Sequence, residues 1–248
     1  MEALRTVRAA FPRAKIALIG ATALGLHVKM TWRTSIDLDL VIAVAVSEID
    51  ATKLPGWQRD RRQPHRWRTP EGALLDIIPA PLEALASREL VWPETGQRMS
   101  LAGVGLALEA DTSRLDAELS IALPSVALIV LLKMAAYTDR PDMREKDLKD
   151  LAHILDEYPP LSEDRVFSAE IFAAGLDVPQ AQAFILGREL REICAAEDRE
   201  VVEQFLRMIG EGGGWIRFVN ASPWRNDEER LRRKLEALRQ GLGGHAIT

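Results

Sequence analysis

The chain has 248 residues and a formal net charge of -5, from 32 Lys and Arg against 37 Asp and Glu. Its content of 47% hydrophobic and 28% charged residues is that of a folded globular protein and excludes disorder as the main state. The acidic balance argues against a general nucleic-acid coat, and the single cysteine, Cys194, argues against disulfides and structural zinc. The longest apolar run, 126–132, is far shorter than the roughly 20 residues of a membrane span, and the first residues lack the order of a secretory signal. We therefore expect a cytoplasmic protein without a membrane partner.

The first part of the chain alternates short helical and strand patterns. A helix is predicted over 2–11, followed by a strand over 15–20 that stops at Gly20, and by a short helix over 21–28. Residues 34–42 alternate polar and apolar side chains with period two, which predicts a half-buried strand.

Further short elements are predicted up to Pro124. Residues 47–54 favour a helix, and the strands predicted over 66–68 and 74–78 form a hairpin across a Thr-Pro-Glu-Gly turn. The stretch 88–104 indicates loop and short strands, and 117–123 indicates one more strand.

From Ser125 onward the apolar periodicity becomes helical. Helices are predicted over 125–138, 142–157, 162–174, 179–209 and 227–240. A glycine run at 212–214 is expected to break the chain after the fourth of them. The predicted fold class is therefore α/β (α+β), with an N-terminal mixed sheet flanked by helices and a mostly helical C-terminal half.

Two aspartates in the strand predicted over 34–42 are the most informative feature. Side chains alternate along a strand, so Asp37 and Asp39 are expected side by side, where their like charges repel. Mg²⁺ or Mn²⁺ would neutralise the pair, and Asp76 would add a third ligand if its strand lies alongside. Three carboxylates around two metal ions serve in-line nucleotidyl displacement. The alternative is that the pair occupies the solvated face of an edge strand.

Gly20 closes a strand directly before a short helix. The first backbone N–H groups of such a helix point at a phosphate, so this turn would cradle a triphosphate. The alternative is an ordinary strand-to-helix turn that needs glycine.

Taken together, these motifs resemble a known family. The segments Gly20-Ala21-Thr22-Ala23-Leu24 and Arg33-Thr34-Ser35-Ile36-Asp37-Leu38-Asp39-Leu40 look like the signature of the DNA polymerase β-type nucleotidyltransferase superfamily, and within it of the AbiEii-type toxin-like branch. The resemblance covers roughly residues 14–155 and includes a helical element that looks like Lys133, Arg140 and Lys146-Asp147-Leu148-Lys149-Asp150.

The resemblance implies an enzyme that moves a nucleoside monophosphate from an NTP to an acceptor hydroxyl with Mg²⁺ or Mn²⁺. It implies a catalytic domain over 1–123 and a helical domain over 124–248 that contributes Lys133 and the Lys-Asp-Leu-Lys-Asp-Leu segment to the cleft. It also implies a toxin of a toxin–antitoxin or phage-defence pair, with an antitoxin protein as partner.

The resemblance assigns roles to individual residues. The metal ligands would be Asp37, Asp39 and Asp76, and Lys133 and Asp147 would join them as catalytic residues. Nucleotide binding would involve Gly20, Ala21, Arg33, Ser35, Arg140 and Lys146. Alanine stands at position 21 where the family commonly has glycine or serine, so the backbone N–H is kept and a hydroxyl is missing.

The lysine at position 133 stands in an otherwise apolar helix. An unpaired buried ammonium is costly, so Lys133 should reach a partner or a cleft, with a nucleotide phosphate as the functional candidate. The alternative for Lys133 is a lysine that extends from a core helix to solvent. For Asp147 and Asp150, spaced i and i+3, the alternative is a solvated, salt-bridged helix face.

A basic, tryptophan-containing segment over 53–68 is unusual in an acidic chain. Its candidate nucleic-acid contacts are Trp57, Arg59, Arg61, Arg62, Arg66, Trp67 and Arg68. Arginines would contact phosphates and tryptophans would stack on unpaired bases, which makes an RNA acceptor such as a tRNA end plausible. The alternative is an exposed hairpin whose tryptophans pack on the core. Two other functions stay open: transfer to a small molecule of the antibiotic type, and a catalytically weak nucleotide- or RNA-binding module.

Overall fold

A computed structural model describes residues 1–35 and 37–243 of the chain. It divides into two compact units, Met1–Leu132 and a second unit that begins at Lys133. None of the helices in these ranges is long and apolar enough to cross a membrane.

The first unit is built on a seven-stranded mixed sheet with the strand order β3-β4-β5-β2-β1-β9-β8. Its strands are β1 (Ile16–Ile19), β2 (Leu38–Ile42), β3 (Gln58–Arg59), β4 (Arg66–Arg68), β5 (Leu74–Pro79), β8 (Thr112–Arg114) and β9 (Ser120–Ala122). A separate pair is formed by β6 (Glu89–Val91) and β7 (Arg98–Ser100). The fold class predicted from the sequence is confirmed.

Burial explains why β1 and β5 lie inside this sheet. All four residues of β1 are apolar and buried, as expected for a strand covered on both faces. In β5 buried and half-buried residues alternate, so one face packs on the core and the other carries Asp76. The strand β2 runs antiparallel to β1 and parallel to β5, so it joins these two strands.

Helices border the sheet in the first unit. They are α1 (Glu2–Ala10), α2 (Gly20–His27), α3 (Leu82–Ser87) and α4 (Val104–Leu108), and α5 (Val126–Asp139) runs across the boundary between the units. The short helices α3 and α4 were not predicted. The strand predicted over 34–42 begins only at Leu38.

The helix predicted over 47–54 was wrong, because only a 3₁₀ turn forms, at Val46–Glu48. The carboxylate of Asp50 accepts hydrogen bonds from the backbone N–H groups of Thr52 and Lys53, at 2.8 and 3.1 Å. Such a side-chain-to-backbone turn competes with helical hydrogen bonding.

The second unit is helical in its described part. Its helices are α6 (Glu145–Glu157), α7 (Ala169–Ala173), α8 (Val178–Ile193), α9 (Ala196–Met208), α10 (Gly212–Ala221) and α11 (Glu228–Gly241). Two glycines let α8 and α11 approach closely, since a Cβ on Gly187 or on Gly241 would lie 2.1 Å from a carbonyl oxygen of the other helix.

Two helix predictions in this unit needed correction. The helix predicted over 179–209 is two helices, because the chain turns to an extended conformation at Cys194 and Ala195. The helix predicted over 162–174 is a 3₁₀ turn at Asp164–Phe167 followed by the short α7. The predicted break at the glycine run is confirmed, since α9 ends at Met208 and α10 begins at Gly212. The three glycines also form the first turn of α10, where a Cβ on Gly214 would meet the carbonyl oxygen of Met208 at 1.7 Å.

Candidate active site

Two aspartates lie opposite each other on neighbouring parallel strands of the first unit. Strand β2 pairs with β5 so that Asp39 is the register partner of Asp76. Paired residues on adjacent strands extend their side chains to the same face of the sheet. The condition stated for Asp76 as a third carboxylate, that its strand lie alongside, is therefore met.

The turn at Gly20 is shaped around the side chain of Asp39. Gly20 has a φ of +70°, and a Cβ built on it would lie 2.1 Å from Oδ2 of Asp39. Only glycine combines this backbone conformation with the absence of a side chain. The Asp39 carboxylate thus lies against the first turn of α2, where the exposed N–H groups and the helix dipole favour negative charge.

Asp37 lies directly before β2 and is tied to α2 through its backbone. The hydroxyl of Thr22 donates a hydrogen bond to the carbonyl oxygen of Asp37 at 2.8 Å. The Asp37 side chain is about 30% exposed. Its neighbour Ile36, which the motif includes, lies outside the described residues.

A guanidinium lies among these carboxylates. Arg66 on β4 is the register partner of Asp76, and its Nε and Nη2 donate to the two oxygens of Asp76, both at 2.8 Å. Its Nη2 is also 3.8 Å from Oδ2 of Asp37. The hydrogen bonds to Asp76 raise the pKa of Arg66 above its ordinary value, and the charges of Asp37 and Asp39 add to this effect. Nε2 of His65 is 3.9 Å from Asp76.

The donor set has the chemistry that a hard divalent cation requires. Three carboxylates from β2, β5 and the residue before β2 are grouped around one positive charge, and carboxylate oxygens are the ligands that Mg²⁺ and Mn²⁺ prefer. As the side chains stand, however, no group of three or more His, Cys, Asp or Glu within residues 1–35 and 37–243 is arranged to hold a metal ion. The three carboxylates are therefore of the right type to bind the cation, but both oxygens of Asp76 accept hydrogen bonds from Arg66.

The residues predicted to bind the nucleotide in the first unit lie in two segments, the start of α2 and the loop before β2. Gly20 and Ala21 form the start of α2, and the Ala21 side chain is buried. Arg33 and Ser35 are half-buried in the loop that precedes β2. Their roles stay predictions.

In the second unit, Lys133 is buried and bound to two carboxylates. Its Nζ lies 2.7 Å from Oδ1 of Asp147 and 2.8 Å from Oδ2 of Asp150. Burial acts to lower the pKa of Lys133, but the two carboxylates outweigh it and raise that pKa, so the ammonium stays charged. The expectation that Lys133 must have a partner is confirmed, and the alternative of a lysine extending to solvent was wrong.

The remaining predicted residues of the second unit are more exposed. Arg140 is half-buried and its Nε lies 3.5 Å from Asp139, and Lys146 is exposed. The solvated, salt-bridged face considered for Asp147 and Asp150 was wrong for Asp150, which has no exposed side-chain surface. Sequence reasoning did not single out Asp150 as a site residue, although its spacing from Asp147 places it on the same helix face.

The basic segment is partly absorbed into the core. Trp57 is 7% and Trp67 2% exposed, so the predicted stacking of their rings on bases was wrong for the structure as it stands. Arg59 donates to Pro64 and Glu94 and lies over the rings of Trp67 and Trp92. The residues of this segment that keep an exposed positive charge include Arg61, Arg62 and Arg68.

Sequence reasoning grouped Arg66 with the nucleic-acid contacts and missed its contact with Asp76. A signal was present in the predicted hairpin. If residue 68 pairs with residue 74 across the turn, residue 66 must pair with residue 76, and this is the observed register.

The first unit therefore brings together the two motifs on which the resemblance rests, a glycine turn before a helix and carboxylates on adjacent strands. A family model described as "Nucleotidyl transferase AbiEii toxin, Type IV TA system" matches residues 2–214. The chain therefore belongs to the AbiEii nucleotidyl transferase toxin family, and it is a transferase of phosphorus-containing groups. A comparison with curated proteins found no match.

Proposed function

We propose that this chain transfers a nucleoside monophosphate from an NTP to a hydroxyl group of RNA, with Mg²⁺ or Mn²⁺ bound by Asp37, Asp39 and Asp76. The observation that carries the proposal is the register of Asp39 with Asp76, beside a glycine turn that leaves room for the Asp39 carboxylate. The divalent cations, when bound, activate the attacking oxygen and stabilise the leaving one.

The chain's own residues would orient the reactants. The N–H groups of Gly20 and Ala21 at the start of α2 would bind a phosphate of the NTP, with Arg33 and Ser35 in the adjoining loop as further contacts. Asp76 would accept a hydrogen bond from the acceptor hydroxyl and so promote its attack. The acceptor oxygen then bonds to the α-phosphorus, the α–β phosphoanhydride bond breaks, and pyrophosphate leaves.

Residues of the second unit are also proposed to act in the reaction. Lys133 and Asp147 are proposed as catalytic residues, and the buried ion pair between them fixes both side chains in place. Arg140 and Lys146 are proposed as further nucleotide contacts.

An RNA acceptor is favoured by the exposed arginines of the basic segment. Arg68 follows Arg66 by two residues in β4, so both extend to the sheet face that carries Asp76. An exposed arginine there would contact an RNA phosphate near the reacting group. Since the family description names a toxin–antitoxin system, we also propose that an antitoxin counteracts this activity.

Label transfer tests the acceptor. Purified protein is incubated with Mg²⁺ and each α-³²P-labelled NTP, with and without total tRNA, beside Asp37→Asn and Asp39→Asn. The proposal expects label in RNase-sensitive product with the unaltered protein alone. Label in an RNase-resistant small molecule would replace the RNA acceptor by a small one, and tight nucleotide binding without transfer would indicate a binding module.

A further inference from the structure

The positive charge of Arg66 partly neutralises the carboxylates of the proposed metal site. Both oxygens of Asp76 accept hydrogen bonds from Arg66, and the same guanidinium lies 3.8 Å from Asp37. A two-bond guanidinium–carboxylate pair of this kind is both strong and directional. It fixes the plane of the Asp76 carboxylate.

The backbone on both sides of Arg66 holds this side chain in reach of Asp76. Arg66 lies directly opposite Asp76 in the ladder between β4 and β5. The N–H of Ile77 donates to the carbonyl of His65 at 2.7 Å, and the ring of Trp67 is buried. The pair is therefore set by strand register and does not depend on a chance surface contact.

This arrangement has a consequence for cation binding. A divalent cation needs carboxylate oxygens as direct ligands, and a guanidinium bound to the same oxygens repels it. Asp76 is 13% and Arg66 29% exposed, so solvent screens their charges less than it would at the open surface.

We propose that Arg66 holds both oxygens of Asp76 and so competes with the divalent cation for this carboxylate. This inference rests on the proposed function, because it takes the three carboxylates as the metal site. Arg66 then lowers the affinity of the three carboxylates for a divalent cation that arrives without a nucleotide. A triphosphate, which brings further oxygen ligands of its own, would offset that competition.

Direct Mn²⁺ binding tests this competition without any turnover. Mn²⁺ affinity is measured by electron paramagnetic resonance and calorimetry on the full chain, for the unaltered protein, Arg66→Gln and Arg66→Lys. Loss of the guanidinium charge in Arg66→Gln is expected to tighten Mn²⁺ binding about tenfold, which corresponds to about 1.4 kcal/mol. Arg66→Lys keeps the charge and is expected to stay within about threefold of the unaltered protein.

A matched control is another arginine of the same unit that is paired with an aspartate. Arg5 bonds to Asp116 at 2.6 Å, outside the carboxylate cluster, so Arg5→Gln makes the same change in net charge and should leave Mn²⁺ affinity unchanged. A merely structural defect in Arg66→Gln would weaken Mn²⁺ binding. Weaker or unchanged binding in Arg66→Gln therefore overturns the inference.

An Asp39→Asn variant separates this inference from the proposed function. If Asp39→Asn abolishes Mn²⁺ binding while Arg66→Gln does not tighten it, the metal site stands and only the role of Arg66 is wrong. If Asp39→Asn binds Mn²⁺ like the unaltered protein, the metal site itself is wrong and the role of Arg66 falls with it.

Discussion

Replacing Gly20 by alanine should disable the site by moving the Asp39 carboxylate. At φ +70° any side chain costs roughly 1–2 kcal/mol of backbone strain. The new Cβ would also lie 2.1 Å from Oδ2 of Asp39, about 0.9 Å closer than the 3.0 Å below which real Cβ contacts essentially never occur. The carboxylate must therefore move by about 1 Å, and a displacement of that size in a reacting geometry costs about 100-fold in rate.

Gly96→Ala separates the backbone strain from the displacement of Asp39. Gly96 has a φ of +67°, and a Cβ there meets nothing within 4 Å. Both variants should lose about 1–2 kcal/mol of unfolding free energy in urea titrations. Only Gly20→Ala should also lose about 100-fold in the rate of label transfer from α-³²P-NTP. Transfer rates within about threefold of each other would refute the reasoning.

Three further predictions concern the second unit. Gly187→Ala should lower the free energy of unfolding by about 1–3 kcal/mol, because its Cβ would meet a backbone carbonyl of α11 at 2.1 Å. The control is Gly213→Ala, whose Cβ would meet nothing within 4 Å, so the free energy of unfolding should stay unchanged or rise by up to about 1 kcal/mol. Urea titrations measure both variants, and an equal loss of unfolding free energy in the two would contradict the close packing of Gly187. Lys133→Met should lower the free energy of unfolding by about 3–5 kcal/mol, because it removes the ammonium between two carboxylates, of which Asp150 is fully buried. An unchanged melting temperature in Lys133→Met would disprove this prediction. Burial lowers the pKa of His153 below its ordinary 6.5, so the unfolded chain takes up the proton first and stability should fall as the pH drops below 6.5. The difference between the urea midpoints at pH 7 and pH 5 should be smaller in His153→Gln than in the unaltered protein. An equal difference in the two proteins would show that His153 does not cause the loss of stability.

Local sequence patterns predicted the parts of the site that depend on spacing. The i, i+2 aspartates and the glycine before a short helix are properties of a few adjacent residues, so Asp39 and Gly20 were predicted where they lie. The contact of Arg66 with Asp76 depends on strand register, and in a run rich in arginine only the hairpin count distinguishes Arg66 from its neighbours.

Other features had no local signal. The break between α8 and α9 occurs at Cys194 and Ala195, where neither proline nor glycine marks the end of a helix. Trp57 and Trp67 are buried, although the arginine-rich sequence around them is typical of an exposed segment. Such features depend on contacts between distant residues.

Parallel reactions with α-³²P-labelled and γ-³²P-labelled NTP test the central claim most directly. Nucleotidyl transfer at the three carboxylates predicts that the α-label appears on the acceptor while the γ-label appears only in pyrophosphate, and that Asp39→Asn loses both signals. Transfer of the γ-label to the acceptor, or unchanged transfer of the α-label by Asp39→Asn, would contradict the account.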